Sequence, residues 1–447
     1  MSLQTISQIL RVAVGYAWGP PLLVLLIGGG TVLLIYSRFL PFFRLRQTLD
    51  ILRGRYEKTD VPGEISQFQA VSTALAATVG MGNIGGVAIA ITQGGPGALF
   101  WMWVAAIVGM ATKFFSCSLA IMYRGPDSRG NLQGGPMYYM EHGLGKSFKP
   151  LAIMFSACGM IGCLAMFQSN QVAEIMDSGY GIGRWWTGMM IFVAVAVVIL
   201  GGVSRIARVA SMLVPAMCVL YLGCAVAIAL MNMHQVPEVF FQIFHDAFTG
   251  TAAVGGAAGI GFFTVVQTGV KRAAFSNEAG IGTSPMAHGA SRNDEPIREG
   301  LVSMIEPVVD TIIVCSLTAF IILSGGHWQS AEGIQGVALT AGVFETAMGE
   351  SGKFLLTIIV LLFGLSTMFG YSYYGRKCFS YLFGAEHSRF YDWVYLASLW
   401  AGAVWSAGMV VNLIDTAFAL MAFPNMVALL LLSPRVMRAA RRYFRGP

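Results

Sequence analysis

The chain has 447 residues, of which 56% are hydrophobic and only 11% are charged, with a formal net charge of +6. Water-soluble globular proteins average about 25% charged residues, so this composition excludes that class and indicates an integral membrane protein. The seven cysteines are odd in number and form no CxxC pair, which argues against a disulfide framework or a metal knuckle.

Apolar windows of about 20 residues, long enough to cross a bilayer, recur along the whole chain. They lie near 20–36, 68–93, 98–123, 150–170, 187–202, 211–231, 248–275, 301–323, 354–375, 393–411 and 413–432. We therefore predict an all-α membrane protein with eleven transmembrane segments.

Basic residues concentrate in every second connection between these segments. The connection 37–67, the tail after residue 432 and the alternate connections between them carry 24 of the 28 Lys and Arg residues, including Lys271 and Arg272. An excess of basic residues marks cytoplasmic loops, so the pattern predicts an outer N-terminus and a cytoplasmic C-terminus. The topology suits a bacterial inner membrane, and it explains the positive charge without a nucleic-acid partner.

Glycines interrupt two of the eleven segments at mid-span. Segment 2 contains TVGMGNIGG at 78–86, and segment 7 contains GGAAGIG at 255–261. The two segments are five apart, and an odd number of segments reverses the direction of entry, so segments 2–6 and 7–11 are predicted to form inverted repeats. The predicted domains are 1–67 with an extra N-terminal helix, 68–231 with the first repeat, and 232–447 with the second.

A helix that breaks inside the bilayer exposes backbone groups that a ligand must satisfy. The N–H groups at Met81–Asn83 suit a carboxylate, whereas the carbonyls at Ala76–Val79 suit a small cation. This layout indicates a secondary transporter. The alternative for either glycine run alone is close packing of helices.

Segment 4 ends in a polar patch formed by Gln168, Ser169, Asn170 and Gln171, which is expected to face the interior of the bundle. Gln168 can both donate and accept hydrogen bonds, as the ammonium and carboxylate of an amino acid require, and Gln168 and Asn170 are predicted to bind the substrate. Hydrogen bonding between helices is the alternative role for this patch.

Lys113 falls inside predicted segment 3, and Glu306 and Asp310 fall inside predicted segment 8. Lys113 and Glu306 come to comparable depth, so a structural ion pair between two helices is one interpretation. Proton carriage by Lys113 is the other. Asp310 has no assigned role.

Three stretches resemble the alanine or glycine:cation symporters, and the resemblance covers nearly the whole chain. They are VGMGNIGGVAIAITQGGPGALFWMW at 79–103, FQSNQ at 167–171 and FSNEAGIGTSPMAH at 275–288. The resemblance implies sodium-driven uptake of small neutral amino acids on the five-plus-five fold of the leucine transporter type. VGMGN also resembles the first core helix of the neurotransmitter:sodium symporters.

The resemblance also implies positions for substrate and sodium. The backbone groups that would face the substrate carboxylate belong to Thr78, Met81 and Gly82. The oxygens that would hold sodium belong to Ala76 and Val79 in segment 2 and to Phe363, Ser366 and Thr367 in segment 9, while Asn83 is a candidate ligand for a second cation. The alternative for Ser366 and Thr367 is that their hydroxyls only bond carbonyls of the preceding turn.

The remaining predicted site residues lie on and after segment 7. Gly256 and Gly259 belong to the predicted second break, and an apolar wall is expected from Ile260, Phe262 and Phe263. Many members of the resembled family are expected to carry an aromatic residue where this chain has Ala257 and Ala258, so a larger substrate such as glutamine is expected to fit. Asn277 and Glu278 are predicted to form a cytoplasmic gate with Lys113 and Glu306, with a solvated loop as the alternative.

The predicted function is sodium-coupled symport of a small neutral amino acid, with Na⁺ as the co-transported ion and no organic cofactor. The sequence has no Walker A lysine loop, no HExxH motif and no convergent nucleophile and base, so it predicts neither an ATP-driven pump nor an enzyme. Proton-coupled symport through Lys113 is the main alternative, and a channel is another. The expected partners are the amino acid and the lipid bilayer, and the oligomeric state is left open.

Overall fold

A computed structural model describes residues 3–53, 55, 61, 63–249, 261–326, 328 and 336–445, and nearly all of them are helical. The described residues form one antiparallel ribbon, β1 (Gly125–Pro126) with β2 (Leu132–Gln133), in which Gly125 pairs with Gln133. Gly256, Gly259, Ile260 and the two alanines at 257–258 lie outside the described residues.

Eleven helices are described before residue 203: α1 (Leu3–Ala17), α2 (Pro20–Tyr36), α3 (Leu40–Phe43), α4 (Leu45–Leu52), α5 (Gln67–Thr78), α6 (Gly82–Gly94), α7 (Ala98–Met122), α8 (Pro136–Tyr138), α9 (Lys149–Gly162), α10 (Met166–Tyr180) and α11 (Arg184–Ile199). π-Helical turns occur at Val24–Gly28 within α2, at Gly82–Gly86 in the first turn of α6 and at Tyr139–Gly143 after α8. Short 3₁₀ turns lie at Lys146–Phe148, Met233–Gln235 and Ala385–His387.

The later helices are α12 (Val203–Met231), α13 (Val236–Thr249), α14 (Phe262–Asn277), α15 (Ser284–His288), α16 (Pro296–Ser303), α17 (Ser316–Ser324), α18 (Val337–Phe383), α19 (Ser388–Val404) and α20 (Ala407–Arg445). A π-helical stretch, Val308–Cys315, leads into α17. Gly349 bends α18 because its φ of 63° is not helical.

Six described helical stretches are long and apolar enough to cross a membrane, and two bent pairs raise the number to eight. The bent pairs are α1 with α2, at 49°, and α5 with α6, at 45°. These eight coincide with predicted segments 1, 2, 3, 4, 6, 8, 9 and 11. Predicted segments 5, 7 and 10 fall on the shorter helices α11, α14 and α19. The chain is therefore a multi-pass membrane protein.

The exposed side of the helices is apolar, as a surface in contact with lipid requires. Met212 and Val219 on α12 are 72% and 73% exposed, and Trp186 on α11 is 65% exposed. In contrast, every residue of Gly82–Gly86 is buried. The break between α5 and α6 therefore lies at the centre of the bundle.

Loops that were predicted to share one side of the membrane meet at one end of the bundle, which we call the inner end. Gln133 Nε2 donates to Glu64 Oε1 at 3.0 Å, and Ser128 Oγ donates to Glu386 Oε2 at 2.7 Å. Arg435 Nη1 in the tail donates to the hydroxyl of Tyr123 at 2.7 Å. The opposite end, which we call the outer end, carries the turn between α10 and α11.

The placement of Lys271 and Arg272 corrects the sequence analysis, which counted them in a cytoplasmic connection. Both lie within α14. Arg272 is 1% exposed and its Nη2 pairs with Asp415 Oδ2, while Lys271 Nζ lies 3.5 Å from the same oxygen. Their charges stabilise a contact between α14 and α20 and carry no information about membrane orientation.

Candidate functional site

The first helix break is built by three residues between α5 and α6. Helix α5 ends at Thr78, and Val79 takes extended backbone angles of φ −74° and ψ 92°. Gly80 N donates to Asn83 Oδ1 at 2.8 Å instead of to the carbonyl four residues earlier, which belongs to Ala76. The Ala76 carbonyl therefore lacks its usual helical donor, as expected of a cation ligand at a broken helix.

The predicted sodium ligands of segment 9 lie against this break. A Cβ on Gly80 would collide with Thr367 Oγ1 and would stand 3.5 Å from the Phe363 carbonyl. Ser366 Oγ and Thr367 Oγ1 both donate to that carbonyl, at 2.9 and 3.0 Å. The hydroxyls thus make the bonds expected of the structural alternative, and Thr367 Oγ1 does so beside Gly80, two residues after the end of α5. A donating hydroxyl keeps its lone pairs for a cation.

A second break follows α14. Glu278, Gly280 and Gly282 have positive φ of 57°, 86° and 99°, and the short helix α15 begins at Ser284. The break predicted at 255–261 lies outside the described residues except for Gly261, and it stays a prediction. In the described part of the chain, the break that faces segment 2 is the one that follows α14.

The two broken helices lie side by side, and each half of one helix packs against one half of the other. Outer half-helix α6 packs against α14, and inner half-helix α5 packs against α15. A Cβ on Gly82 would stand 3.3 Å from Ser276 Cα, so the two backbones approach closely. Only glycine permits this approach without a shift of the neighbouring helix.

Aromatic side chains surround the first break. The ring of Phe275 would lie 3.2 Å from a Cβ on Gly82, and it packs edge-on against Phe167 with centroids 5.1 Å apart. Phe418 lies 5.7 Å from the Phe275 centroid. The predicted wall residues Phe262 and Phe263 are instead 48% and 45% exposed, and Phe262 packs on Trp101. They lie in the first turn of α14, whereas Phe275 lies in its last turn, and their assignment to the substrate wall stays a prediction.

The polar side chains of the patch on α10 are buried and contact different neighbouring segments. Asn170 Nδ2 donates to the carbonyls of Gly402 and Trp405, at 2.9 and 2.8 Å, and thereby joins α10 to the end of α19. Gln171 Oε1 accepts from Val337 N at 2.9 Å. Gln168 is buried on α10, which packs on α18. Asn170 thus has the interhelical role that the sequence analysis held open.

A polar cavity of about 480 Å³ opens beyond Gln171. Its lining residues come from several helices at the outer end, and they include Arg11, Gln93, Gln171, Glu174 and Asn412. Gln171 also contacts the break region, because a Cβ on Gly85 would stand 2.8 Å from Gln171 Oε1. The cavity therefore leads from the outer end toward the first break.

Asp310, which the sequence analysis left without a role, joins both broken helices. Its Oδ1 accepts from Asn83 Nδ2 at 2.6 Å, and its Oδ2 accepts from Ser276 Oγ at 2.6 Å and Thr311 Oγ1 at 2.9 Å. All four side chains are completely buried. Asn83 is therefore occupied by hydrogen bonds to Gly80 and Asp310, and its predicted role as a ligand for a second cation stays a prediction.

The predicted pair of Lys113 and Glu306 is present, with Nζ and Oε2 2.6 Å apart. Lys113 is 1% exposed and Glu306 is fully buried. Asn277 and Glu278 are also buried, so the alternative of a solvated loop is wrong. Asn277 Nδ2 donates to Thr311 Oγ1 at 3.0 Å, and Glu278 Oε2 accepts from Thr283. His288, which was not among the predicted site residues, contacts Glu306 and belongs to the run FSNEAGIGTSPMAH.

Comparison with known proteins supplies the family. The sequence model of the Sodium:alanine symporter family matches residues 3–446. The sodium/alanine symporter AgcS of Methanococcus maripaludis is 40% identical over 435 residues, which cover 96% of this chain and 95% of the relative. The probable sodium/glutamine symporter GlnT of Bacillus subtilis is 35% identical over 447 residues, with 99% and 91% covered.

Solved structures share the fold. The crystal structure of MhsT in complex with L-phenylalanine superposes with a TM-score of 0.53 at 12% identity, and covers 84% of this chain and 89% of that chain. An Eremococcus coleocola manganese transporter reaches a TM-score of 0.54 at 11% identity, with 84% and 82% covered. At these identities the likeness establishes the architecture alone. The sequence relationship establishes more: this chain belongs to the sodium:alanine symporter family and is a sodium-coupled amino-acid transporter, not an enzyme.

Proposed function

We propose that the protein carries a small neutral amino acid into the cell together with sodium, by exposing the two apposed helix breaks alternately to either side of the membrane. The observation that carries the proposal is the close approach of Gly80, which follows the broken end of α5, to the Thr367 hydroxyl and the Phe363 carbonyl of α18. Carbonyl and hydroxyl oxygens suit a hard cation such as Na⁺. We assign the ion to Ala76, Val79, Phe363, Ser366 and Thr367.

The amino acid is proposed to bind on the other side of the first break. The N–H groups that start α6, at Met81 and Gly82, carry a partial positive charge suited to its carboxylate, and Thr78 completes this backbone contact. Gln168 is proposed to contact the substrate's polar groups, and Phe275 and Phe167 to enclose its side chain. Ion and substrate then share one broken helix, so that sodium favours the binding-competent state.

Glutamine is proposed as a further substrate. The chain is 35% identical to the probable sodium/glutamine symporter GlnT, and it has small residues at 257–258. We also propose eleven transmembrane helices in two inverted repeats of five, over the domains 68–231 and 232–447, with the N-terminus outside a bacterial inner membrane. The basic loops that meet at the inner end support this orientation.

The sodium site is tested by replacing one of its hydroxyls. Purified protein in liposomes is given labelled alanine, with glutamine as competitor, at a series of external sodium concentrations with potassium as the replacement. We expect Ser366→Ala to raise the sodium concentration for half-maximal uptake about 10- to 100-fold, since a hydrogen-bonding group on a charge contributes about 1.5–3 kcal/mol.

Ser372→Ala is the matched control. Ser372 Oγ donates to the Phe369 carbonyl at 2.7 Å, the same local bond that Ser366 makes, in the same helix. We expect this variant to keep the sodium dependence of the wild type. Equal effects of the two substitutions would show that Ser366 acts only on the helix, and would overturn the assignment.

A further inference from the structure

A buried network of titratable side chains extends from the second break toward the inner end. Its members are Lys113, Glu278, His288, Glu299 and Glu306, and none is more than 1% exposed. Lys113 Nζ donates to Glu306 Oε2 and to Ser284 Oγ. Lys113 is therefore held by two partners, which leaves it poorly placed to carry a proton by itself.

His288 connects two carboxylates of the network. Its Nε2 lies 2.5 Å from Glu306 Oε1, and its Nδ1 lies 2.8 Å from Glu299 Oε1. An ionised carboxylate only accepts hydrogen bonds, so the two contacts call for a proton on each ring nitrogen. A protonated His288 and a protonated Lys113 then balance the charges of Glu299 and Glu306.

Glu278 is the third carboxyl group of the network, and no cation balances it. Its Oε2 accepts from Thr283 and lies 3.4 Å from Ser284 Oγ, but its Oε1 has no hydrogen-bond partner. No ion pair in the described part of the chain includes Glu278. An isolated ionised carboxylate is too costly to bury, so the group is neutralised by a proton.

The other titratable groups that face Glu278 do not supply a second cation. The Ser284 hydroxyl contacts both Lys113 of α7 and Glu278, and Glu306 lies on the other side of Lys113. Tyr371 and Tyr374 face it from α18, and Cys163 faces it from the end of α9. Lys113 is the single basic group among these neighbours, and its ion pair is already made with Glu306.

The network ends close to the inner surface. Glu299 Oε2 accepts from Gln67 Nε2 at 3.2 Å and from Asn293 Nδ2 at 3.0 Å. The neighbours of Asn293 in the chain, Arg292 and Asp294, are exposed. Hydrogen-bonded groups therefore connect the carboxyl group at the break with the edge of the protein, where water is available.

We propose that Glu278 is a proton-binding site that exchanges its proton with the cytoplasm at the inner end of this network. The inference rests on the predicted cytoplasmic gate, to which Glu278 belongs. The neutral carboxyl group permits α15 to close beneath the second break. When the inner half opens, water reaches Glu278, the proton leaves Oε1 for the solvent at the inner end, and the carboxylate then opposes closure until it is protonated again.

The charge of Glu278 sets the direction in which pH changes the opening of the inner half. Low cytoplasmic pH keeps Glu278 neutral and stabilises the closed inner half, whereas rising pH ionises the group and stabilises the open form. Hydrogen–deuterium exchange of peptides that contain Ser284–His288 measures this opening in the purified full-length protein. We expect the opening constant of the wild type, after correction for intrinsic exchange, to rise by at most tenfold per pH unit, as the release of one proton requires.

Glu278→Gln keeps the shape of the neutral acid and should remove this pH dependence, with the segment protected throughout. Glu386→Gln, which changes an exposed carboxylate at the inner end, should behave like the wild type. Glu278→Asp, which keeps a titrating group, should retain a pH dependence, and this variant carries the test if the glutamine variant does not fold.

Two results would overturn the proposal. One is an opening constant that does not change with pH in the wild type. The other is an unchanged pH dependence in Glu278→Gln, with its loss in His288→Gln assigning the proton to the histidine. The exchange measurement needs neither sodium nor substrate, so failure of the sodium-site experiment would leave it intact.

Discussion

Phe275 shows how a single residue can define a binding pocket. Its ring lies on the first turn of α6, in contact distance of the position that a Cβ on Gly82 would take. It also packs on Phe167 from the helix that carries Gln168. A substrate that binds its carboxylate at Met81 and Gly82 would therefore place its side chain against these two rings.

We expect Phe275→Ala to enlarge this pocket and to raise glutamine uptake relative to alanine uptake. The expected change is about tenfold, since an apolar pocket discriminates by about 1–3 kcal/mol per methylene group. Competition between labelled alanine and unlabelled glutamine in proteoliposomes measures the ratio. Phe263→Ala is the control because Phe263 is 45% exposed and belongs to the wall expected from the sequence. A change in the control with none in Phe275→Ala would move the pocket to the start of α14.

At the scale of elements, buried charge joins α14 to α20. Arg272 and Asp415 are each 1% exposed, and the Trp18 indole N–H donates to the Asp415 carbonyl at 2.9 Å, which brings the end of α1 to the same place. Arg272 Nε and Nη1 and Asp415 Oδ1 have no hydrogen-bond partner. Several polar atoms of the pair therefore lack hydrogen bonds, and each buried charge is stabilised by the opposite charge of the other residue.

We expect Asp415→Ala to lower the free energy of unfolding by about 3–5 kcal/mol, because it leaves Arg272 buried without a counter-charge. The double variant Arg272→Leu with Asp415→Ala should recover part of this loss, since both charges are then gone. Thermal unfolding in detergent measures both. Equal destabilisation of the single and double variants would show that the two charges do not depend on each other.

The break after α14 is an element that the sequence-based prediction did not include. The run at 255–261 is richer in glycine than Glu278–Thr283, and a local pattern cannot tell which of two interruptions will face a helix almost 200 residues away. The break at 278–283 lies next to the first break because Gly82 packs on Ser276, at the end of α14. The alternating glycines Gly280 and Gly282 were the available signal, inside the run that resembles the family.

At the scale of the whole molecule, the orientation is testable by labelling. In a variant without the native cysteines, we expect Asn131→Cys to react with a membrane-impermeant thiol reagent only from the cytoplasmic side, and Ser178→Cys only from outside. Both positions are exposed, the first between β1 and β2 and the second near the end of α10. Intact and opened cells are compared. Labelling of both positions from one side would contradict the single membrane crossing, by segment 4, that is predicted to separate them.

The sequence by itself determined the features that depend on local composition. Apolar windows predicted the helices, because a bilayer requires long apolar stretches with internally bonded backbones. The glycines of 80–86 predicted the first break, and the matching depths of Lys113 and Glu306 predicted their ion pair. Each of these predictions requires information about only one helix, or about two helices whose depths in the membrane are known.

The tertiary structure alone decided which residues meet across the bundle. Asn83 and Asp310 are 227 residues apart in the chain, and Arg272 and Asp415 are 143 apart, yet each pair is in direct contact. Such contacts depend on how each helix is rotated about its axis, and packing against all its neighbours sets that rotation. The same packing exposes Phe262, buries Glu278 and lets Asp310 contact both broken helices. These features therefore appear only in the assembled bundle.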